Sequence, residues 1–542
     1  MEDRPLTIAQ AVGQQLLLAF KGKGELSPEI RASLQAIRPA GVTLFRELNI
    51  ETPAQVQGLT SNLQRAAKEF DLPPLLIAAD QEGGQLMAIG NGSTPLPGNM
   101  ALGAAGSVDL ARRAGEVLGS ELAALGINVN YAPSCDVNVN PNNPVIGLRS
   151  FGEDSAQAAR LSAALIAGMQ AWGVAATAKH FPGHGDTASD SHHGLPVVPH
   201  SLERLRQVEF PPFRAAIQAG VKLVMTAHLA LPAVDGPDAP PATLSPAILG
   251  GLLRNELGFP GVVISDAMDM RAIRQGEALG DEAIRAMRAG VDLLLLTSKP
   301  LDHQRVYNSL LSALHNGSLD LETVMASAGR ILRLKRWLAD QPAPPGLEVV
   351  GCVAHQAVAV EIARHSITLV RNHAGWLPLR LEPGQRAAVL IPRPVDLTPA
   401  DTSSYVTPAL ARALRQYHPA VDEVIFSHAP EDHDITALIQ QAGSYDTLIL
   451  GTINARSSPG QVKLVQQVLN MGIPTILVAL RLPYDLAAFP QAPAYLCSYS
   501  ILEPSMQALA EALFGRIAIQ GRLPVSIPGL YPTGYRQSQP GA

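Results

Sequence analysis

The chain has 542 residues, of which 47% are hydrophobic and 16% are charged. This length and apolar content exclude a single small module and a chain that is disordered over most of its length. Lys and Arg number 41 and Asp and Glu number 47, which gives a formal net charge of −6, and no basic block stands out. We therefore do not expect a nucleic acid as a partner, because binding a phosphate backbone needs clustered positive charge.

The cysteines and the N-terminal sequence both indicate a cytoplasmic protein. Cys135, Cys352 and Cys497 are odd in number and far apart, which favours a reducing compartment over a disulfide framework. The first residues carry no net positive charge and the first apolar run is short, so no secretory signal is predicted. A glutamine and a glycine interrupt the apolar, uncharged stretch at residues 161–178, so we expect no membrane span.

Short apolar runs rich in Val, Ile and Leu recur through the first 300 residues, separated by amphipathic helical segments. This alternation is typical of repeated βα units around a parallel sheet. Eight such runs predict strands, at residues 14–20, 41–45, 74–80, 127–132, 174–180, 223–228, 262–266 and 291–297. Eight parallel strands with intervening helices predict a (β/α)₈ barrel of the TIM type, which we assign to residues 1–337.

A second domain is predicted after a proline-rich stretch. Residues 338–350 contain the sequence PAPPG and follow a helical segment, so we interpret them as a linker. Strand-like runs then return at residues 387–391, 423–427, 447–451, 475–479 and 494–498. Because helical segments separate these runs, they predict a smaller α/β sandwich domain over residues 351–542.

Acidic or basic residues stand at the ends of five predicted barrel strands. Active sites of such barrels form at the carboxyl ends of the strands, so these residues are candidates for chemistry. Any one of them alone is equally well explained as a cap of the following helix or turn, but five ends on one face favour a site. The residues are Asp80, Asp136, Lys179 with His180, His228 and Asp266.

The densest chemistry lies in KHFPGHGDTASDSHHGLP, residues 179–196. One interpretation is a metal site, although the spacing matches no zinc pattern and the glycines and prolines indicate a loop. A second is a general acid and base built from Asp190 and His192, which face the same side of an extended loop, so that the carboxylate fixes the ring tautomer. A third is a histidine that only ties the loop down. The imidazoles in the segment are His180, His184, His192 and His193.

Four further motifs accompany this loop: DQEGG at 80–84, PVIGLRSFGED at 144–154, SDAM at 265–268 and GRLPVSIPGLYP at 521–532. Together they resemble glycoside hydrolase family 3, specifically the two-domain form of its bacterial β-N-acetylhexosaminidase branch. The resemblance covers nearly the whole chain, and the histidine-rich loop is its most specific part. It implies a barrel followed by an α/β sandwich, and a carbohydrate substrate that ends in N-acetylglucosamine.

The resemblance also implies roles for particular residues. Asp266 corresponds to the catalytic nucleophile, which forms a covalent glycosyl-enzyme, whereas the residues alone do not distinguish it from Asp80. His192 corresponds to the acid/base and Asp190 to the partner that orients it. No metal and no organic cofactor is implied. The positions that hold the sugar hydroxyls correspond to Asp80, Arg149, Lys179 and His180.

We therefore predict a retaining, exo-acting β-N-acetylglucosaminidase that acts on cell-wall muropeptides or chitin-type glycans. One alternative is a phosphorylase, because a histidine acid/base repels an incoming phosphate less than a carboxylate would. A family 3 β-glucosidase is another. A carbohydrate-binding protein without activity is disfavoured, because Asp190, His192 and Asp266 are all present. Gln85 departs from the family pattern, in which an arginine usually follows DQEGG, and this affects the contacts beside Asp80.

Overall fold

The computed structural model describes residues 6–190 and 194–538. The strands of the N-terminal half are β1 (Leu16–Ala19), β2 (Gly41–Thr43), β3 (Leu76–Ala79), β4 (Gln81–Gly83), β5 (Leu86–Met87), β6 (Val129–Asn130), β7 (Ala175–Phe181), β8 (Leu223–Thr226), β9 (Val262–Ile264) and β10 (Leu294–Leu296). β4 and β5 form a separate antiparallel hairpin. The other eight strands are parallel neighbours in the order β10-β1-β2-β3-β6-β7-β8-β9, and a bridge between Ile264 and Leu293 closes the barrel. Each predicted run overlaps one of these strands, so the barrel prediction is confirmed.

Helices surround the barrel, and their sequences show why they form. In α4, the Thr52 hydroxyl accepts a hydrogen bond from the Gln55 amide and Pro53 occupies the first turn, while Val56, Leu59 and Leu63 form a buried stripe. A π-helix spans Ala247–Glu256. The α-helices of this half are α1 (Ile8–Gly13), α2 (Pro28–Ile37), α3 (Arg46–Asn49), α4 (Pro53–Glu69), α5 (Asn99–Ala105), α6 (Val108–Ala124), α7 (Ser155–Gln170), α8 (Leu202–Val208), α9 (Phe210–Gln218), α10 (Pro232–Asp235), α11 (Leu279–Ala289), α12 (Pro300–His315) and α13 (Leu321–Ala339).

The inside of the barrel is an apolar core rather than a channel. Leu17, Leu76 and Val129 belong to one buried cluster inside the strands, whereas Leu16 and Leu18 belong to the cluster beneath the helices. This alternation follows from the two-residue period of a strand. Because side chains fill the interior, polar groups are left for the ends of the strands.

The C-terminal half folds around a six-stranded mixed sheet, and the predicted α/β sandwich is confirmed. Its strands are β11 (Thr368–Asn372), β12 (Ala387–Pro392), β13 (Val421–Phe426), β14 (Thr447–Thr452), β15 (Thr475–Ala479) and β16 (Ala494–Cys497), in the order β11-β16-β15-β14-β12-β13. Its helices are α14 (Val353–Ser366), α15 (Leu410–Leu414), α16 (Asp432–Ala442), α17 (Pro459–Asn470) and α18 (Glu503–Leu513). β12 to β16 are parallel to one another and correspond to the five predicted runs.

β11 was not predicted from the sequence. It pairs antiparallel with β16, and its short apolar run is interrupted by Arg371, a residue type that argues against a buried strand. Arg371 is nevertheless buried. Its burial is tolerated because Nη1 donates hydrogen bonds to the carbonyls of Pro490 and Ala492, at 2.6 and 2.9 Å. These carbonyls come from distant sequence, so local pattern does not reveal the pairing.

The two halves are joined by more than the connection between α13 and α14. The C-terminal segment returns to the barrel domain, where the Glu153 amide donates to the carbonyl of Pro524 at 3.0 Å. The Glu153 carboxylate in turn accepts hydrogen bonds from the amide and the hydroxyl of Ser526, at 2.9 and 2.5 Å. Within the described part of the chain, no helix has the length and apolar character needed to cross a membrane.

Candidate active site

The strand ends named from the sequence meet at one mouth of the barrel. Asp80 directly follows β3, Lys179 and His180 lie near the end of β7, and Asp266 lies two residues beyond β9. A cavity of about 470 Å³ opens here. Five of the seven predicted site residues line it, namely Asp80, Arg149, Lys179, His180 and Asp266.

Buried ion pairs hold the cations of this cavity in place. Lys179 Nζ contacts Asp80 Oδ1 at 2.6 Å and Glu82 Oε1 at 2.7 Å. Arg149 donates two hydrogen bonds to the same Glu82, from Nη2 to Oε1 at 2.8 Å and from Nε to Oε2 at 3.0 Å. The Asp80 side chain is 27% exposed, whereas that of Lys179 is 2% exposed. Asp80 is therefore the member of the network best placed to receive hydroxyl donors from a ligand.

The network sets the charges of its members. Burial by itself raises the pKa of Glu82, but the positive charges of Arg149 and Lys179 lower it to about 2. Burial by itself lowers the pKa of Lys179, but Asp80 and Glu82 raise it above its ordinary value. Glu82, Arg149 and Lys179 are consequently charged at neutral pH, and the contacts within the network compensate the cost of burying them.

His180 is held in one tautomer. Its Nε2 lies 3.3 Å from Arg149 Nη2, which only donates, so Nε2 is an acceptor and the proton resides on Nδ1. Nδ1 donates to Asp136 Oδ2 at 2.7 Å. Burial raises the pKa of Asp136, but the contacts with His180 and His184 lower it below its ordinary value. Asp136, named from the sequence only as a strand end, thus orients a ring that faces the cavity.

The loop that follows β7 is shaped by glycine. Gly183 has φ +124°, a conformation that L side chains rarely adopt, and a Cβ on Gly185 would lie 1.9 Å from the carbonyl of Val137. Burial lowers the pKa of His184 to about 4, and its Nδ1 contacts the Thr187 hydroxyl at 2.7 Å. His184 therefore shapes the loop as a neutral ring.

The predicted dyad, Asp190 and His192, comes next in the sequence. Asp190 is buried but is not among the described residues that line the cavity. His192 lies outside the described residues, and so does His193. The structure therefore leaves the pairing of Asp190 with His192 as a prediction.

The carboxylate of Asp266 is oriented by its own chain, because Oδ1 accepts a hydrogen bond from the Ala267 amide at 2.7 Å. His228, for which the sequence suggested no role, contacts the backbone beside Asp266. Its Nε2 contacts the carbonyl of Ala267 at 3.1 Å and its Nδ1 contacts the Thr243 hydroxyl at 2.7 Å. The residue that follows the nucleophile candidate is thus held by a buried network of His228 and Thr243.

A loop of the C-terminal domain also lines the cavity, which the sequence did not predict. Residues 396–405 contribute Asp396, Asp401, Thr402 and Tyr405, and the Tyr405 ring lies 4.0 Å from the guanidinium carbon of Arg46. Their one sequence signal is a polar run after an apolar strand. Glu82 was also missed, and a second acid within DQEGG was its only signal.

Gln85 lies at the contact between the two domains. Its carbonyl accepts hydrogen bonds from the amide and the hydroxyl of Thr402, at 2.7 and 2.9 Å, and its side chain contacts Arg481. The departure noted after DQEGG therefore concerns the docking of the C-terminal loop rather than the ion pairs of Asp80. Among the described residues, no group of three or more His, Cys, Asp or Glu side chains has the arrangement needed to hold a metal ion.

Comparisons with known proteins agree with this architecture. Residues 7–334 match the N-terminal domain of glycosyl hydrolase family 3, and residues 367–537 match the C-terminal domain of the same family. Beta-hexosaminidase A of Pseudoalteromonas piscicida is 33% identical over 96% of this chain and 97% of its own length. A Cellulomonas fimi protein named beta-N-acetylglucosaminidase/beta-glucosidase is 32% identical over 88% of this chain and 87% of its own.

A solved structure is similar over almost the same extent. The glycoside hydrolase family 3 beta-N-acetylglucosaminidase of Paenibacillus sp. str. FPU-7 is 39% identical, with a TM-score of 0.91, over 96% of this chain and 99% of its own. Both domains and their order thus agree with a single family. The chain is an enzyme that belongs to glycosyl hydrolase family 3.

Proposed function

We propose that the protein is a retaining, exo-acting β-N-acetylglucosaminidase that releases terminal, non-reducing β-linked N-acetylglucosamine. The observation that carries this proposal is the single cavity that brings Asp266 together with Asp80, Arg149, Lys179 and His180. The names of the similar proteins from Pseudoalteromonas, Cellulomonas and Paenibacillus support the choice of sugar.

In the proposed reaction, Asp266 attacks the anomeric carbon while His192 protonates the leaving oxygen, which gives a covalent glycosyl-Asp266. Water that the same histidine deprotonates then attacks this intermediate, and two inversions give net retention. Asp190 is the partner proposed to orient His192. The fixed carboxylate of Asp266 supports this assignment, because a nucleophile must be held in line with the bond it breaks.

The other cavity residues are proposed to bind the terminal sugar. The exposed side of Asp80 accepts hydrogen bonds from hydroxyls, while Lys179, fixed against Asp80 and Glu82, donates to them. Loop 396–405 walls one side of the cavity, which favours a chain end over an internal sugar. This wall is the support for exo action.

Two alternatives share the same site. The Cellulomonas relative carries both a beta-N-acetylglucosaminidase and a beta-glucosidase name, which favours a test of both sugars. A phosphorylase uses phosphate in place of water for the second step. The natural substrate class of muropeptides or chitin-type glycans, and a cytoplasmic location, stay predictions from the sequence.

The decisive experiment measures release of a chromogenic leaving group from the β-N-acetylglucosaminide and the β-glucoside. We expect the wild type to prefer the N-acetyl substrate and Asp266→Asn to lose roughly 10⁴-fold or more of kcat/KM, because the nucleophile is lost. Asp238→Asn, an exposed carboxylate outside the cavity, is the matched control and keeps its rate. His192→Ala is expected to lose activity, least on substrates with good leaving groups.

Two product measurements complete the test. Proton NMR of the first product is expected to show the β-anomer, which means retention. The same assay in phosphate and in a non-phosphate buffer, with analysis for sugar 1-phosphate, separates hydrolysis from phosphorolysis. A first product with the α configuration, full activity of Asp266→Asn, or sugar 1-phosphate as the main product would contradict the proposal.

A further inference from the structure

A second cavity, of about 360 Å³, lies between the two domains. Residues 141–148 of the barrel domain form one side, and loops of the C-terminal domain form the other. Among the described residues, its lining shares no member with that of the catalytic cavity. The two cavities therefore have distinct linings, and the volume of the second is within the range of small-ligand pockets.

The position of this cavity in the C-terminal sheet is where open α/β sheets bind ligands. β12 lies between β13 and β14, so the connection from β12 to β13 and the connection from β13 to β14 run in opposite directions along the sheet. Such a point creates a crevice at the carboxyl ends of the strands. The loops after four neighbouring parallel strands line it, through Thr398 after β12, His428 after β13, Asn454 after β14 and Arg481 after β15.

The same residues carry unsatisfied polar atoms. In residues 6–190 and 194–538, five buried side-chain atoms of this lining have no hydrogen-bond partner. Buried polar groups are almost always paired, so several such atoms around one cavity are the pattern of a site whose partner comes from solution. The atoms are Thr398 Oγ1, His428 Nδ1, Asn454 Oδ1, Arg481 Nε and Asp485 Oδ2.

The charges of the lining disfavour an ionic ligand. The buried guanidinium of Arg481 is already paired with Asp401, at 2.7 Å between Nη1 and Oδ2. Burial lowers the pKa of His428, and so does the charge of Arg481, so that its ring is neutral at neutral pH. Burial raises the pKa of Asp485. Arg456, in the lining and exposed, donates from Nη2 to Asn142 Oδ1 at 3.3 Å.

The chemistry that remains is a mixture of donors and acceptors on neutral or compensated groups. Asn454 Oδ1 and Asp485 Oδ2 require donors, Arg481 Nε requires an acceptor, and a hydroxyl group supplies both. Ile146, Leu397 and Leu482 add apolar surface against which C–H groups pack. A polyhydroxylated ring with C–H faces matches this combination.

We propose that the cavity between the domains binds a neutral sugar, at a site separate from the catalytic cavity. The ligand is of monosaccharide size or the end of a longer saccharide. Residues 141–148 contact it from the barrel domain, and the loops after β12, β13, β14 and β15 contact it from the C-terminal domain. This site goes beyond the proposed hydrolysis and does not depend on it.

The test is hydrogen–deuterium exchange, read peptide by peptide by mass spectrometry, with and without N-acetylglucosamine or glucose at millimolar concentration. We expect either sugar to slow exchange in peptides that cover residues 141–148, 453–457 and 481–485. The double variant Thr398→Val/Asn454→Gly removes an unpaired hydroxyl and an unpaired carbonyl. Glycine suits position 454 because its φ is +49°. We expect this variant to weaken the protection of these peptides about tenfold or more in sugar concentration.

Thr407→Val removes an exposed threonine hydroxyl outside both cavities and is the matched control, expected to behave as the wild type. Protection confined to the catalytic cavity, or equal protection in the double variant, would overturn the proposal and leave the second cavity to water. Protection by inorganic phosphate and not by the sugars would overturn the ligand class. Because no turnover is measured, failure here is distinct from failure of the proposed hydrolysis.

Discussion

Glu82 is the residue that both cations of the barrel-mouth cavity contact. It is buried, and its two carboxylate oxygens receive Arg149 and Lys179. A lone carboxylate in that position would be expensive to desolvate, and so would two unpaired cations. The three charges are therefore stable only as a set, which fixes Arg149 and Lys179 before any ligand arrives.

This set predicts a distinct acid sensitivity. The folded pKa of Glu82 is about 2 against 4.5 for an ordinary glutamate, so its contribution to stability is fully present above pH 4.5 and is lost as the pH falls toward 2. The difference corresponds to about 3 kcal/mol. The free energy of unfolding by urea is measured for the wild type and for Glu82→Gln. We expect the difference between the two to shrink by about this amount as the pH falls over that range.

The matched control for this measurement is Glu51→Gln, because Glu51 pairs with Lys23 at the surface, where the side chains are 57% and 39% exposed. Exposed pairs contribute about 0–1 kcal/mol, so the corresponding gap is expected to stay small at every pH. A gap for Glu82→Gln that stays constant between pH 4.5 and the acid limit of folding would contradict the prediction.

At this scale, sequence reasoning reached the residues that end strands and missed those whose role depends on tertiary contacts. Asp80, Lys179, His180 and Asp266 were placed at one mouth of the barrel because parallel strands present their carboxyl ends together. Glu82 was not predicted as a site residue, because its place between two cations from other elements depends on the β4–β5 hairpin.

At the scale of elements, the decisive contact is between loop 396–405 and the β4–β5 hairpin. The Thr402 hydroxyl accepts a hydrogen bond from the Met87 amide at 3.2 Å and donates one to the Gln85 carbonyl at 2.9 Å. Asp401 is held by Arg481 from the loop after β15. The sequence predicted β12 and β15 but not this docking, because the partners lie more than 300 residues apart and only the arrangement of the domains joins them.

Arg481→Met is expected to release this loop. Removing one partner of a buried ion pair costs about 3–5 kcal/mol, because it leaves the Asp401 charge uncompensated. We expect a loss of this size in the free energy of unfolding, faster proteolysis within residues 396–405, and a higher KM for the chromogenic substrate. The control Arg386→Met breaks the ion pair with Asp422, in which both side chains are about half exposed. Losing this pair is expected to lower the free energy of unfolding by under about 1 kcal/mol. Equal losses in the two variants would show that the buried pair does not hold the loop.

At the scale of the whole molecule, the two predicted domains form one body. A single apolar cluster includes Leu118 of α6 and Ala101 of α5 from the barrel domain together with Val358 of α14 and Leu450 of β14 from the other. The domain count followed from the proline-rich stretch and the return of strands. The continuity of the core did not, since composition shows how much apolar surface exists and not which helix covers it.

This continuity predicts a single unfolding transition. Because apolar core and the hydrogen bonds of Ser526 to Glu153 join the halves, neither exposes its interface without a cost comparable to the stability of the whole. We expect calorimetry to show one peak, and Ser526→Ala to lower its midpoint by about 1 degree through loss of about 1 kcal/mol. Ser404→Ala, which removes an exposed hydrogen bond to Asp396 within the C-terminal domain, is the control and is expected to leave the midpoint nearly unchanged. Two resolved peaks in the wild type would mean that the halves unfold independently and that the shared core does not couple them.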